Sequence, residues 1–144
     1  MDASKLIAEL ERDEGMRLKV YFDSRGIATI GVGRNLHDKG VSQEEAYILL
    51  NHDIEEVRGE LDAHLSWWQD LDEVRQRVLA NMCFNMGIRS LLSFSVTLGH
   101  VRNQRWEQAA AAMLQSSWAV EVGPRARRLA QMMRTGDDHV GMVV

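Results

Sequence analysis

The sequence contains very little cysteine and proline. Its 144 residues include one cysteine, Cys83, and one proline, Pro124. A lone cysteine cannot form an internal disulfide, which excludes the small disulfide-stapled secreted domains and suits folding in a reducing cytosol. Because Cys83 lies in the apolar run VLANMCFNMG, we interpret it as a buried core residue rather than a reactive thiol.

Long hydrophobic runs are missing as well. No segment approaches the roughly 18–20 apolar residues of a membrane span. The first residues, MDASKLIAELERDEGMRLK, are charged throughout, unlike a signal peptide. We therefore expect synthesis in the cytoplasm, and a protein acting elsewhere would then need a separate factor to let it out.

The histidines are scattered along the chain, and the patterns of cofactor sites do not occur. The five histidines, at positions 37, 52, 64, 100 and 139, show no HExxH or paired spacing. The GVG at 31–33 lacks the third glycine and the helix start of a dinucleotide-binding loop. The sequence predicts neither a metal site nor a cofactor.

Charge is unevenly divided along the chain. The net charge is -4, with an acidic first half and a more basic second half. The acidic half argues against nucleic acid as the main partner, because a phosphate backbone requires a basic face. The basic run Arg125 to Arg128 is interpreted as a solvated helix face. The helix predicted from Pro124 to Arg134 is expected to pack against the rest of the protein, with peripheral contact to an anionic envelope surface as the weaker alternative.

Hydrophobic patterning predicts one mostly helical α+β domain with a single small sheet. A helix is expected from Ala3 to Glu14, ended by Gly15, and two strands are expected in RLKVYF and IATIGVG around the turn DSRG. The motif SQEE is typical of a capping box, with Ser42 at the N-cap. Further helices are predicted at about 42–61, 71–86, 94–101, 106–115 and 124–134.

Three side chains in the stretch DEGMRLKVYFDSRGIATIGVG suit glycoside hydrolysis. Such a reaction needs one protonated carboxyl and one ionised group. Glu14 continues the apolar stripe of its helix, so we expect it to be half buried and protonated, whereas Asp23 in a solvated turn stays charged. Thr29 would hold the attacking water. Taken singly, each residue is common at such a position, so the plain structural interpretation stays open here.

The same stretch resembles the phage-type lysozymes, the endolysins of glycoside hydrolase family 24. The shared pattern is Glu-Gly, then R-L-x-x-Y-x-D-x-x-G-x-x-T-I-G-x-G. Further likenesses are LNHDIEEVRG to the interlobe helix, ANMCFNMG to the central helix, NQRWEQAAAAML to the helix RW-x-x-AA, and a closing segment ending in RTG. Together they span about residues 6–136.

The resemblance implies a single lysozyme domain over residues 1–144. One lobe would comprise 12–62 with the sheet, and the other, helical lobe would comprise 1–11 and 63–144, joined by a long helix. It implies a monomer that cleaves the β-1,4 bond between N-acetylmuramic acid and N-acetylglucosamine in peptidoglycan, for host cell lysis. The catalytic residues would be Glu14, Asp23 and Thr29. The substrate contacts would be Asn35, Phe84, Asn85 and Thr97, supported by Asp13, Asn81, Arg125 and Arg128.

Two departures from the family pattern bear on the site. The segment RNLHDKGV after Gly33 is shorter than the family's loop and helix, which predicts a smaller lobe and a more open cleft. Arg34 replaces a histidine, and we expect it to pair with Asp53. Two other activities stay open: a lytic transglycosylase, which would use Glu14 without needing Asp23 and Thr29, and a non-enzymatic envelope binder.

Overall fold

The structure, a computed structural model, describes residues 1–138, so His139 lies outside the described residues. The fold is α+β, as predicted: it is 67% helical, with a small three-stranded antiparallel sheet. The chain divides into two compact units, Met1–Leu49 and Leu50–Val144. The lobe boundaries implied by the resemblance stay a prediction. No helix within residues 1–138 is both long and apolar enough to cross a membrane.

The first unit begins with helix α1 (Ala3–Glu14), whose bounds are those predicted. Asp2 caps its start by accepting a hydrogen bond from the Lys5 amide at 3.1 Å, and Gly15 ends it. No residue of α1 is buried. The expectation of a half-buried Glu14 is therefore wrong: the apolar stripe that was to cover it is itself exposed, and so is Glu14.

The sheet has the order β1 (Arg17–Phe22), β2 (Ala28–Gly31), β3 (Arg34–Asn35), with all neighbours antiparallel. The predicted hairpin is confirmed, whereas β3 was missed because two residues carry no alternation to detect. Thr29 on β2 is the central position, because it pairs with Tyr21 on one side and Asn35 on the other.

Helix α2 (Gln43–His64) starts at the predicted capping box. The Glu45 amide donates to the Ser42 hydroxyl at 3.1 Å, and the Ser42 amide donates to the Glu45 carboxylate at 2.9 Å. The reciprocal bonds satisfy two of the amides that a helix start leaves without partners.

The second unit is helical around one apolar core. Beyond the larger part of α2, its helices are α3 (Glu73–Met86), α4 (Ile88–Ser93), α5 (Ser95–Arg102), α6 (Trp106–Leu114), α7 (Ser117–Val122) and α8 (Pro124–Thr135), with a 3-10 turn at Trp68–Asp70. The four predicted helices of this unit are confirmed to within two residues at their ends; α4, α7 and the 3-10 turn were not predicted. Cys83 is buried, as predicted, and burial raises the pKa of its thiol.

The core of the second unit lies between α3, α6 and α8. The largest side chains with no exposure there are Leu61, Val78, Leu79, Met82, Leu91, Val101, Met113 and Met133. On α6, Ala109 and Ala110 are buried but Ala111 is exposed, so the close packing predicted over Ala109 to Ala112 holds for the first two alanines. Alanines at those two positions let α6 approach α8 closely.

Candidate active site

Asp23 is held by the turn between β1 and β2. Its Oδ1 accepts hydrogen bonds from the backbone amides of Arg25 at 2.8 Å and Ile27 at 2.9 Å. The Ile27 amide, more than any other group, lowers the pKa of Asp23 below its ordinary value of 3.8; partial desolvation opposes this, and Arg25 adds to it. Asp23 is therefore ionised at neutral pH, as the sequence predicted for a turn carboxylate.

Thr29 is tied to the same residue of the turn. Its hydroxyl donates to the Ile27 carbonyl at 2.8 Å, and the side chain is almost fully buried, with 4% exposure. The Asp23 amide donates to that carbonyl as well, at 3.0 Å. Because Ile27 bonds both side chains, the turn fixes Asp23 relative to Thr29. Because the Thr29 hydroxyl already donates its hydrogen to the Ile27 carbonyl, the hydroxyl oxygen can only accept a hydrogen bond from any further group.

Glu14 lies at the opposite end of β2. Its carboxyl group packs against the backbone of Gly33, in the two-residue turn Val32-Gly33 that joins β2 to β3. A Cβ placed on Gly33 would come within 2.9 Å of a Glu14 carboxylate oxygen. The helix end and the sheet thus meet at a position that has no side chain.

The length of strand β2 gives an approximate distance across the candidate site. From Ala28 to Gly31 it takes three steps, which at about 3.3 Å per residue is roughly 10 Å. Asp23 lies at the turn before β2, and Glu14 lies at the loop after it. The two carboxyl groups therefore flank one short strand from its two ends.

Arg34 has a different partner from the one expected. Its guanidinium bonds both carboxylate oxygens of Glu45 and donates to the Gly40 carbonyl at 3.1 Å. The pairing with Asp53 is therefore wrong. The short segment after β3 leads directly into the start of α2, which places the capping glutamate beside Arg34. The Ser42 bonds, with Arg34 adding to them, lower the pKa of Glu45.

Two more predicted residues belong to the first unit. Asn35 on β3 forms a closed pair with Asp38, donating to its carboxylate at 2.9 Å and accepting from its amide at 2.9 Å. Asp13 is exposed and accepts a hydrogen bond from the adjacent Arg12. The turn therefore orients the Asn35 amide, whereas Asp13 has only a surface contact.

The second unit brings four of the predicted residues to one groove of about 1210 Å³. These residues are Asn81, Phe84, Arg125 and Arg128. Arg125 donates twice to the Asn81 side-chain oxygen, at 3.0 and 2.7 Å, so the two side chains act as one group. Phe84 is 46% exposed, which leaves a large part of its ring open for a ligand to contact.

The last two predicted residues do not line this groove. The Asn85 side-chain oxygen accepts from the Trp118 ring nitrogen at 2.7 Å, which fixes the amide. Thr97 is buried, with 5% exposure. Substrate contact by either residue stays a prediction.

Ile27 and Gly33 were missed by the sequence reasoning. Ile27 acts through its backbone, and side-chain chemistry gives no signal for that. Gly33 had a signal, because GVG places glycines on both sides of the β2 to β3 loop, but the sequence does not show which of them faces the carboxylate.

A small three-stranded antiparallel sheet in a chain that is otherwise helical is consistent with an α+β lysozyme-like fold. Residues 11–134 match the family model described as phage lysozyme, and the chain belongs to this family.

Individual relatives agree with the family. The endolysin of Salmonella phage P22 is 32% identical, over 78% of this chain and 80% of that protein. Probable T4-type lysozyme 1 of Dictyostelium discoideum is 24% identical, over 88% of this chain and 92% of that protein. The pre-baseplate central spike protein Gp5 of Enterobacteria phage T4 is 29% identical over 89% of this chain, which spans only 27% of the spike protein.

Proposed function

We propose that this chain is a muramidase that hydrolyses the β-1,4 bond between N-acetylmuramic acid and N-acetylglucosamine in peptidoglycan. One observation carries the proposal: Asp23 and Thr29 are fixed on the backbone of Ile27 at one end of β2, and Glu14 lies at the other end. Membership in the phage lysozyme family supports it.

In this mechanism Glu14 is the general acid. It transfers its proton to the glycosidic oxygen as the bond from that oxygen to C1 of the muramic acid breaks. A water attacks C1 from the opposite face. Asp23, ionised by its two backbone hydrogen bonds, takes the proton of that water. Thr29 accepts a hydrogen bond from the other O–H of the water, which stays on the water oxygen, and this directs a lone pair of that oxygen at C1.

The length of β2 favours inversion. A carboxylate acting as a direct nucleophile lies about 5 Å from the acid, whereas inverting enzymes separate the two groups by about 6.5–9.5 Å to admit water. A strand of roughly 10 Å between the two turns suits the larger separation. We therefore propose that cleavage inverts the configuration at C1.

The hydrogen bonds of Asp23 and Thr29 also favour hydrolysis over lytic transglycosylation. A transglycosylase closes an internal ether with its acid alone and needs no residue to hold water. Here the turn fixes a carboxylate and a hydroxyl acceptor on the same residue, Ile27. Mass spectrometry of digested glycan strands separates the activities: hydrolysis adds one water per cut, and anhydro-sugar ends would refute hydrolysis.

The central test compares wild type with Glu14→Gln on purified peptidoglycan. Because glutamine cannot donate the proton, we expect clearing to slow by about 100-fold or more, with an unchanged circular dichroism spectrum. Glu11→Gln, one turn earlier on exposed α1, is the matched control and should clear at the wild-type rate. A folded Glu14→Gln protein that clears as fast as wild type would refute the mechanism.

We assign substrate binding to Asn35, Phe84, Asn85 and Thr97. Asp13, Asn81, Arg125 and Arg128 are proposed as supporting residues. The exposed ring of Phe84 in its groove is the strongest of these assignments. Phe84→Ala should weaken binding of glycan strands with little effect on folding, because the side chain is not part of the core. Equal KM values for Phe84→Ala and wild type would remove it from the substrate site.

For the biological setting we propose host cell lysis by a monomer made in the bacterial cytoplasm and released through the inner membrane by a separate factor. The 29% identity to a phage spike protein favours a second setting, an injection apparatus. Mass spectrometry of purified virions distinguishes them, because only the second setting predicts this chain in the particle.

The peripheral envelope contact of α8 remains a secondary proposal; killing of intact cells by Glu14→Gln would support it.

A further inference from the structure

Gly33 gives room to the Glu14 carboxyl group. A Cβ at Gly33 would lie 2.9 Å from Glu14 Oε2, 3.1 Å from its Cδ and 3.3 Å from its Cγ. The first distance is shorter than nonbonded atoms tolerate, and the other two are tight. The carboxylate oxygen would therefore have to move, and the Cδ and Cγ atoms would have to shift by a few tenths of an ångström.

Gly31, the last residue of β2, provides an internal comparison. Both glycines have φ of 69°, a conformation that strains any residue with a Cβ. A Cβ at Gly31, however, meets no atom within 4 Å. The two positions therefore share the backbone strain and differ in the contact with Glu14.

We infer that Gly33 is a positioning residue for the general acid: the absence of a side chain at this position lets the Glu14 carboxyl group pack against the β2 to β3 loop, at the end of β2 opposite Asp23. The inference rests on the proposed function, because it concerns the position of the proposed general acid, Glu14. A side chain at position 33 would displace the carboxyl group from its present position.

The first experiment compares Gly33→Ala with Gly31→Ala on glycan strands. The two variants should unfold at similar urea concentrations, because they carry the same strain. Gly33→Ala should lose about 30-fold or more in kcat relative to Gly31→Ala, with KM changed less than about threefold, because a misplaced acid affects the transition state rather than binding.

A second substrate tests whether the loss acts through the acid. An aryl glycoside of N-acetylmuramic acid has a leaving group that departs without a proton. On this substrate Gly33→Ala should match Gly31→Ala to within about threefold. Equal losses on both substrates would overturn the inference, as would equal rates of the two variants on glycan strands.

A third measurement is independent of activity. The carboxyl carbon resonance of Glu14, assigned by its loss in Glu14→Gln, should shift in Gly33→Ala and stay in place in Gly31→Ala. If wild type cleaves neither substrate, the proposed function fails, and this resonance alone decides the contact. An unshifted resonance in Gly33→Ala would refute it. If the alanine variants do not fold, Gly33→Asn and Gly31→Asn repeat the comparison, because asparagine tolerates positive φ.

Discussion

Replacing Arg75 by methionine should remove a large part of the stability of the second unit. Arg75 is nearly buried, with 9% exposure, and lies on α3 beside the end of α8. It donates to the carbonyls of Met133 at 2.7 Å and Arg134 at 3.1 Å, and its guanidinium carbon lies 3.8 Å from the centre of the Trp106 ring. One cation thus caps the carboxyl end of a helix and joins α3, α6 and α8.

The size of the loss follows from these contacts. Hydrogen bonds from a charged donor contribute about 1.5–3 kcal/mol, and a desolvated cation over an aromatic ring contributes about 0.5–2 kcal/mol. The methionine keeps the apolar stem of Arg75 but leaves the buried Met133 carbonyl without its donor. We expect a loss of about 3–5 kcal/mol, against a total of about 5–15 kcal/mol for a typical domain.

Urea unfolding followed by tryptophan fluorescence measures this loss, with Arg77→Met as the matched control. Arg77 lies on the same helix but bonds to Glu73 and Asp138 at the surface. Exposed ion pairs of this kind contribute less than about 1 kcal/mol. Arg75→Met and Arg77→Met proteins of equal stability would show that the contacts of Arg75 are not what holds the helices together.

Four further outcomes are expected. Asp23→Asn should lower kcat by about 100-fold or more; on the acid side of the pH profile, wild-type activity should be lost only as Asp23 is protonated through its lowered pKa, and an acid limb above the ordinary aspartate value of about 3.9 would contradict this. Thr29→Val should slow hydrolysis without unfolding the protein, and an unchanged rate would remove Thr29 from the mechanism. Ser42→Ala should cost about 1 kcal/mol in urea unfolding, and no change would discount the capping box. Arg34→His should make the free energy of unfolding fall as pH rises through the folded pKa of the new histidine, because Glu45 would hold that pKa above about 6.5. Equal unfolding free energies of variant and wild type between about pH 5 and 8 would refute the pairing of position 34 with Glu45.

The local features of the fold could be predicted because their causes lie within a few residues. Ser42 and Glu45 carry both halves of the capping box. Gly136 ends α8 in the left-handed conformation that glycine adopts most easily. The Asp23 turn is formed by side-chain bonds to amides two and four residues later. Each signal is complete in the sequence before any packing forms.

The wrong predictions concerned contacts that cross between elements. The stripe on α1 predicted burial of Glu14, but periodicity shows which residues share a face and not what covers it. The family resemblance predicts an ion pair of Arg34 with Asp53. The short segment after β3 places Glu45 beside Arg34 instead. The role of Gly33 depends on the path of a helix end toward a loop, which the sequence does not encode in any one motif.

The central claim is that Glu14 and Asp23 act from opposite ends of β2 on a bond cleaved with water between them. Proton NMR of glycan strands during the first minutes of cleavage reports the configuration of the new reducing end before it mutarotates. Inverting hydrolysis of the β bond by wild type predicts the α anomer of N-acetylmuramic acid as the first product. Initial formation of the β anomer, or of an anhydro end, would contradict the account.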